Sequence, residues 1–190
     1  MFDISLLSEC LYNVHPQTMQ QIIKNESGGN RLAINVNVLR GKPKPKYNQP
    51  KTVKDAIRLA HYYIKKGHSV DLGLAQINSN NLKYFNVTVE DMFEPCKNIN
   101  IGSKILYSAY QRAKRTTNDQ QSALLKALSI YNTGNMSYGF RNGYVNRYKA
   151  LMNPLMILVK IIKLRWIHIL SYDQMVSPKI NNQTTRCANS

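Results

Sequence analysis

Apolar residues recur at helical spacing along much of the chain. Between residues 16 and 26 they fall on one face of a helix, which Pro16 is suited to begin because its fixed backbone angle matches the first helical turn. Gly28 and Gly29 follow, and glycine readily adopts the left-handed conformation that ends a helix. The same spacing predicts three more helices, at about 2–12, 98–114 and 120–131.

Two capping patterns mark further helix starts. Thr52 is followed three residues later by Asp55, and an amphipathic run extends from there until Gly67 ends it. Thr88 and Asp91 repeat the same pattern. We therefore interpret the two carboxylates as helix-start residues rather than as catalytic groups.

Two segments have the pattern of short strands. Residues 32–38 alternate apolar and polar side chains, and residues 70–78 begin as an apolar run. Between them, residues 41–46 contain a glycine and two prolines, which predicts a loop. Together with the helices, these segments predict a mostly helical α+β fold with one small β element.

The length and composition fit one domain and a tail. With 190 residues, of which 43% are hydrophobic, the chain can bury a single core of ordinary size. We place the domain at residues 1–150 and an apolar and basic segment with a polar tail at residues 151–190. Lysines and an arginine interrupt residues 151–170 before the ~20 apolar residues that a membrane-spanning helix needs, so we predict no integral membrane span there.

The segment after the domain has several interpretations. Residues 151–170 fit a helix packed on the domain, which we favour, but also an amphipathic helix at a membrane interface or a partner-binding segment. Residues 177–190 are polar with almost no apolar content, so we expect them to be disordered.

The charge of the chain indicates an anionic partner. Its net charge is +16, with only 10 acidic residues. Nucleic acid is the usual partner of such a chain, but no zinc-finger spacing, helix-turn-helix pattern or aromatic single-strand motif accompanies the dispersed basic residues, so we expect no nucleic-acid partner. Peptidoglycan, whose peptide stems carry carboxylates, fits the same charge.

Glu26 stands at the predicted C-terminal end of the helix that Pro16 begins. The negative end of the helix dipole disfavours a carboxylate there, and burial beside Ile22 and Ile23 adds a desolvation cost, so both effects predict a raised pKa for Glu26. A carboxylic acid that stays protonated near neutral pH can donate a proton to a glycosidic oxygen. The alternative for this segment alone is a solvated glutamate at a frayed helix end.

Three segments together carry a specific resemblance. Residues 25–30 read NESGGN, residues 71–78 read DLGLAQIN and residues 127–135 read ALSIYNTGN. In this order and at these separations they resemble the lytic transglycosylases of the lysozyme superfamily (SLT domain). With Cys10 and the segment EDMFEPCKNINIGSKIL, the chain is most similar to the small transglycosylases that accompany type IV secretion and conjugation systems. The resemblance covers about residues 1–150 and implies a lysozyme-like domain.

The resemblance implies peptidoglycan glycan strands as the substrate and Glu26 as the catalytic acid. Glu26 protonates the oxygen that links N-acetylmuramic acid to N-acetylglucosamine, the 2-acetamido group stabilises the resulting cation, and the glutamate then removes the proton of the 6-hydroxyl as a 1,6-anhydro ring closes. This chemistry requires no metal and no cofactor. The resemblance assigns the following side chains to the substrate: Ser27, Gln76, Asn78, Tyr131, Asn132 and Tyr144.

Two of these assignments have structural alternatives. Ser27 is also placed to hydrogen-bond the helix end, and Tyr144 is as compatible with packing as with a place in the site.

The distribution of carboxylates separates two chemistries. A two-carboxylate glycosidase places its second acid ~5 to 9 Å from the first, yet no acidic residue lies between Glu26 and Asp55. Asp71 is the remaining candidate, and its position before the LGLAQIN segment fits a solvated turn equally well. We therefore favour the transglycosylase, with a lysozyme-type peptidoglycan hydrolase and a non-enzymatic wall-binding assembly protein as alternatives.

The cysteines bear on the compartment. The resemblance to exported wall enzymes favours a disulfide between Cys10 and Cys96, the latter in a loop after Pro95, over two buried free thiols, and leaves Cys187 unpaired. It also implies the periplasm, with type IV secretion components as candidate partners. No signal peptide is recognisable, because the first residues lack a basic region and the stretch that follows is interrupted by polar residues.

The histidines show no spacing typical of a metal site, either with each other or with cysteine. We expect structural or surface positions for His15, His61, His68 and His168.

Overall fold

The computed structural model of the chain describes residues 8–152. Within this range the helices are α1 (Pro16–Ser27), α2 (Val53–Lys65), α3 (Leu82–Phe85), α4 (Pro95–Lys114), α5 (Gln120–Thr133) and α6 (Tyr138–Arg141). The strands are β1 (Ile34–Val36), β2 (Val70–Leu72) and β3 (Ile77–Asn78), and 3₁₀ helices lie at Ser79–Asn81, Glu90–Phe93 and Val145–Met152. The prediction of a mostly helical α+β fold is confirmed.

The compact unit described here is Met1–Lys149, from residue 8 onward. The predictions for residues 151–170 and 177–190 fall outside the described residues, apart from the first two positions, and they stay predictions. Across residues 8–152, no helix combines the length and the apolar character that crossing a membrane requires.

The predicted helix caps are present. The Thr52 hydroxyl accepts a hydrogen bond from the Asp55 backbone N–H at the start of α2. Thr88 and Asp91 form a reciprocal pair, in which each side chain accepts from the other residue's backbone N–H. Gly28 ends α1 with φ +63°, a left-handed conformation that favours glycine.

The sheet is antiparallel, with the order β1-β2-β3. Ile34 pairs with Leu72 and Val36 with Val70, and these four side chains are buried on one face of the sheet. The intervening positions lie on the opposite face because side chains alternate along a strand. There Asp71 of β2 lies between two neighbours across the ladder, Asn35 and Asn78.

The outer edge of β1 is covered by side chains of the loop that follows it in the chain. The Tyr47 hydroxyl accepts from the Val36 backbone N–H at 3.0 Å and donates to the Ile34 carbonyl. The Gln49 amide bonds both backbone groups of Ile34, at 3.0 and 2.7 Å. These hydrogen bonds fix the loop to the sheet. They also occupy the backbone groups of β1 that a fourth strand would otherwise pair with.

Asn98 of α4 anchors the connection between β2 and β3. Its side chain is buried and accepts from the Ala75 backbone N–H, while it donates to the carbonyls of Leu72 and Met92. Gly73 packs directly against it, since a Cβ there would lie 2.4 Å from the Asn98 amide nitrogen. This close approach fixes a tight turn at residues 73–76.

The segment before α1 is held along one face of α4. A disulfide joins Cys10 to Cys96, the Asn100 amide donates to the Cys10 carbonyl at 2.9 Å, and the Ser103 hydroxyl accepts from the Tyr12 backbone N–H at 2.9 Å. Positions 96, 100 and 103 recur at helical spacing, so they lie on the same face of the helix. The N-terminal segment is thus attached to α4 by covalent and polar contacts.

Three local predictions are corrected. The helix predicted at residues 2–12 lies partly outside the described residues, and in the described part only residues 8–10 form a 3₁₀ turn. The run at 70–78 is broken into β2, a turn and β3, because Asn98 holds the turn. Cys96 lies in the first turn of α4 rather than in a loop.

We expect the disulfide to stabilise the fold. It closes a loop with a sequence separation of 86, so the reduced unfolded chain gains conformational freedom. The double variant Cys10→Ser, Cys96→Ser should lose ~2 to 4 kcal/mol of unfolding free energy in urea titrations, and adding reductant to the wild type should cause a similar loss. Cys187→Ser serves as the control and should match the wild type. Equal stability of the oxidised and reduced wild type would contradict this expectation.

Candidate active site

The end of α1 opens into a cleft of about 950 Å³. Its walls come from α1, the polar face of the sheet, the loop that covers β1, the end of α5 and the last 3₁₀ helix. The side chains that line it and that are used below are Glu26, Ser27, Asn35, Asn37, Lys44, Asp71, Gln76, Asn78, Tyr131, Asn132 and Arg147.

Glu26 is half-buried in the last turn of α1 and is oriented by two tyrosines. The Tyr144 hydroxyl donates to Glu26 Oε1, and the Tyr148 hydroxyl donates to the Tyr144 oxygen at 2.6 Å. Tyr144 is 4% exposed and Tyr148 is fully buried, so the two rings cannot move freely. One carboxylate oxygen of Glu26 is therefore occupied, which leaves Oε2 for a ligand.

The pKa of Glu26 is raised, as the sequence predicted. Burial is the largest cause; the Tyr144 hydrogen bond lowers the pKa, the charge of Asp71 raises it, and the charge of Arg147 lowers it slightly. Burial also raises the pKa of Tyr144 far above its usual range and the pKa of Tyr148 to about 12. Both tyrosines thus keep their protons at neutral pH and act as donors.

Asp71 lies in the cleft and not in a solvated turn, which corrects that interpretation. It occupies the middle of β2, and its carboxylate accepts hydrogen bonds from the amides of Asn35 at 3.0 Å, Asn37 at 3.0 Å and Asn78 at 2.6 Å. Strand pairing brings these side chains together, because Asn35 and Asn78 stand opposite Asp71 in the sheet. The sheet therefore places one carboxylate in the cleft. It comes from β2 and not from residues 27–54, the segment after Glu26, which contains no acidic residue.

Gln76 and Asn78 have their amide nitrogens engaged within the protein. Gln76 adopts a left-handed conformation with φ +50°, and its Nε2 donates to the carbonyls of Ala33 and Gly73. Asn78 donates to Asp71 and accepts from the Asn80 backbone N–H. Both side chains line the cleft, but the Gln76 amide nitrogen holds the turn and the Asn78 amide nitrogen binds Asp71, so Gln76 offers a ligand mainly its amide oxygen.

The remaining predicted residues also have partners. The Tyr131 hydroxyl donates to the Ala75 carbonyl at 2.7 Å, which ties α5 to the turn at residues 73–76. The Asn132 amide oxygen accepts from Asn142, and its exposed side chain lines the cleft. Ser27 donates to the Ile23 carbonyl and accepts from the Gly29 backbone N–H, as a helix-end residue does.

Sequence reasoning missed several residues that shape the cleft. Tyr148 follows Tyr144 by four residues, a helical spacing that could have indicated a shared face. Asn35 and Asn37 are the polar positions of the predicted strand, so their common direction was readable from the alternation. No local signal indicated Arg147, whose guanidinium lies 5.8 Å from the centroid of the Tyr144 ring.

Three of the histidines have structural or surface positions. His15 caps α1, His61 pairs with Glu90 at 2.8 Å on the surface, and His68 bonds the Asn37 carbonyl. His168 lies outside the described residues. Across residues 8–152, no three His, Cys, Asp or Glu side chains converge in a metal-binding arrangement.

Comparison with known proteins identifies related chains. The family described as the transglycosylase SLT domain matches residues 5–151. The type IV secretion system protein virB1 of Brucella abortus is 39% identical over 137 residues, which are 72% of this chain and 56% of that protein. Protein virB1 of Agrobacterium fabrum is 33% identical over 147 residues, which are 77% of this chain and 58% of that protein. The chain thus spans little more than half the length of these relatives.

No solved structure matches the chain at a significant level.

The raised pKa of Glu26 predicts a pH-dependent cost to stability. A carboxyl group whose folded pKa exceeds its unfolded value stabilises the fold below the unfolded pKa, and this contribution is lost as the pH rises through the folded pKa. Glu26→Gln carries no charge and can still accept from Tyr144. It should therefore melt at a higher temperature than the wild type at pH 7.5, and the difference should shrink towards pH 4.

Thermal melts followed by circular dichroism at both pH values measure this difference. The control is Glu94→Gln, which removes an exposed carboxylate outside the cleft. If the wild type were as stable as Glu26→Gln at pH 7.5, the folded protein would not destabilise the ionised form of Glu26, and the prediction would be wrong.

Proposed function

Because the chain belongs to the transglycosylase SLT family, we propose that it is a peptidoglycan lytic transglycosylase. It cleaves the β-1,4 bond between N-acetylmuramic acid and N-acetylglucosamine and leaves a 1,6-anhydro end. The observation that carries the proposal is Glu26, a half-buried acid with a raised pKa, held by Tyr144 at the wall of a cleft large enough for sugar units.

The first step is proton donation by Glu26. The free oxygen, Oε2, carries the proton to the glycosidic oxygen as the bond to the anomeric carbon breaks. The substrate's own 2-acetamido group attacks that carbon from the opposite face, so no second carboxylate has to supply a nucleophile. Glu26 becomes a carboxylate in this step.

The Tyr144 hydrogen bond assists as this charge develops. A hydroxyl that donates to a carboxylate stabilises the ionised form, which is why this bond lowers the pKa of Glu26 against the effect of burial. Burial keeps the acid protonated before the reaction, and the hydrogen bond supports the anion formed during it. The Tyr148 hydroxyl, which donates to Tyr144, directs the Tyr144 proton towards Glu26.

In the second step Glu26 acts as a base. The carboxylate removes the proton of the 6-hydroxyl, whose oxygen attacks the anomeric carbon and displaces the acetamido oxygen. The ring closes as a 1,6-anhydro sugar, Glu26 regains its proton, and no water is consumed. We propose that the amide oxygen of Gln76, the side chain of Asn132 and Ser27 hold the sugar, since all three line the cleft.

The cellular role that we propose follows from the names of the relatives. One is a type IV secretion system protein, and this chain would open the wall for such an apparatus or for a conjugation system, from the periplasm. Its net charge of +16 suits a polymer whose peptide stems carry carboxylates.

A lysozyme-type hydrolase is the second candidate, and the position of Asp71 in the cleft favours it. Its carboxylate, however, accepts from three asparagine amides, which compete with any water that it would have to activate. The transglycosylase reaction leaves these hydrogen bonds undisturbed, so we favour it.

We expect Glu26→Gln to abolish cleavage of the wall. The amide can neither donate nor recover the proton, so the rate of muropeptide release from purified sacculi should fall by at least ~100-fold. The control Glu94→Gln should cleave as the wild type does. Activity of Glu26→Gln within about tenfold of the wild type, a difference of only ~1.4 kcal/mol, would refute the assignment of the acid.

The identity of the products separates the two chemistries. Digestion of sacculi in isotope-labelled water should yield 1,6-anhydromuramic ends without label, because the 6-hydroxyl replaces water. Asp71→Asn should form the same anhydro ends, since Asp71 takes no part in the ring closure. Label at the new reducing ends, seen by mass spectrometry, would instead establish a hydrolase.

A further inference from the structure

A second pocket of about 550 Å³ adjoins the cleft at the loop that covers β1. Lys44, Tyr47 and Gln49 line both the cleft and this pocket, so the two meet at the loop. Lys46 lines the pocket and not the cleft. Each of the two adjoining spaces therefore has a lysine in its wall. We call Lys44 and Lys46 the lysine pair.

The backbone that carries the lysine pair is fixed within the protein. Residues 43–50 form neither helix nor strand, and the prolines on either side of Lys44 restrict this stretch to extended conformations. The Lys46 carbonyl accepts from the Tyr63 hydroxyl at 3.3 Å, and Tyr47, the next residue, is bonded to β1. Positions two apart in an extended chain are separated by ~6 to 7 Å. Little ordering of the backbone therefore remains to be done when a ligand binds.

Neither lysine has an anionic partner within the protein. Residues 27–54 contain no acidic side chain. Over the described part of the chain, residues 8–152, no carboxylate forms an ion pair with Lys44 or Lys46. Both side chains are exposed, and an ammonium group has three donors and no acceptor. The two charges are therefore available to an anion from outside.

The arrangement fits a branched polymer whose branch carries carboxylates. A wall glycan has a peptide stem on every second sugar, so a strand lying in the cleft carries a branch that extends beside it. The second pocket provides space for that branch at the border of the cleft, and the lysine pair provides cations for its carboxylates. A strand without stems keeps a carboxylate close to its muramic sugar but has no branch that reaches the pocket.

We propose that Lys44 and Lys46 form a docking site for the carboxylates of a peptide stem, so that the protein prefers stem-bearing glycan to glycan stripped of its stems. This rests on the proposed function, which places the glycan strand in the cleft. Lys44 binds the stem where it leaves the cleft, and Lys46 binds it in the adjoining pocket. The lysine pair determines the choice of substrate and takes no part in proton transfer.

Binding to an inactive variant tests the proposal without requiring cleavage. In the Glu26→Gln background, titration calorimetry would compare three forms of one muramyl tetrasaccharide: with tetrapeptide stems, with stems whose carboxylates are amidated, and without stems. We expect the form with free carboxylates to bind about tenfold more tightly than either of the others at low salt. Adding Lys44→Gln and Lys46→Gln together should bring both ratios towards one. Raising the salt from ~0.01 M to ~1 M should do the same, because the Debye length falls from ~30 Å to ~3 Å.

The matched control is the double change Lys54→Gln, Lys65→Gln, which removes the same charge from exposed positions of α2 outside the cleft and the pocket. It should leave both ratios unchanged. Equal binding of the three ligands, or ratios that the change of the lysine pair does not alter, would overturn the docking site. A preference for stems that survives amidation would overturn it too, since the contact would then not depend on carboxylates. An equal effect of the control would assign the preference to the net charge of +16 and not to this loop.

Cleavage of sacculi by the wild type reports separately on the proposed function. Release of anhydro products, with binding ratios that stay near one, would refute the docking site and keep the proposed function. Ratios that depend on the lysine pair, without any cleavage of sacculi, would support the docking site and refute the proposed reaction.

Discussion

The cleft depends on the three hydrogen bonds of the buried Asn98 side chain. They fix the turn at residues 73–76 against α4, and that turn carries both Gln76 and the carbonyl that receives Tyr131. A hydrocarbon side chain of similar size would leave one backbone N–H and two carbonyls without these partners in the core, and each such group costs ~1 to 3 kcal/mol. The positions of the sheet and of α5 thus depend on one buried polar side chain, Asn98.

Two opposing effects act on the pKa of Glu26. Its burial favours the protonated acid, and its hydrogen bond from Tyr144 favours the anion. Neither effect alone suits a group that gives away a proton and later recovers it, the role that we propose for Glu26. Because both tyrosines are held by packing, the balance is built into the folded chain before any ligand arrives.

The sequence predicted those features of the fold that depend on interactions between residues close together in the chain. The caps at Thr52 and Thr88 and the end of α1 at Gly28 depend on residues within a few positions of each other, and the sequence indicated all three. The broken strand at 70–78 depends on Asn98, over 20 positions away, and the partners of Asp71 depend on strand register. The motif at residues 25–30 pointed to Glu26, but the tyrosines that orient its side chain lie more than 100 positions later in the chain.

The side chains that cover β1 have a consequence for solubility. An exposed strand edge is a template on which another chain can add a strand, and Tyr47 and Gln49 occupy the hydrogen-bonding groups at which such growth would begin. The same two residues line the cleft, so the loop that borders the cleft also blocks strand addition at β1. Shortening that loop to widen the cleft would expose the edge of β1 to strand addition by another chain.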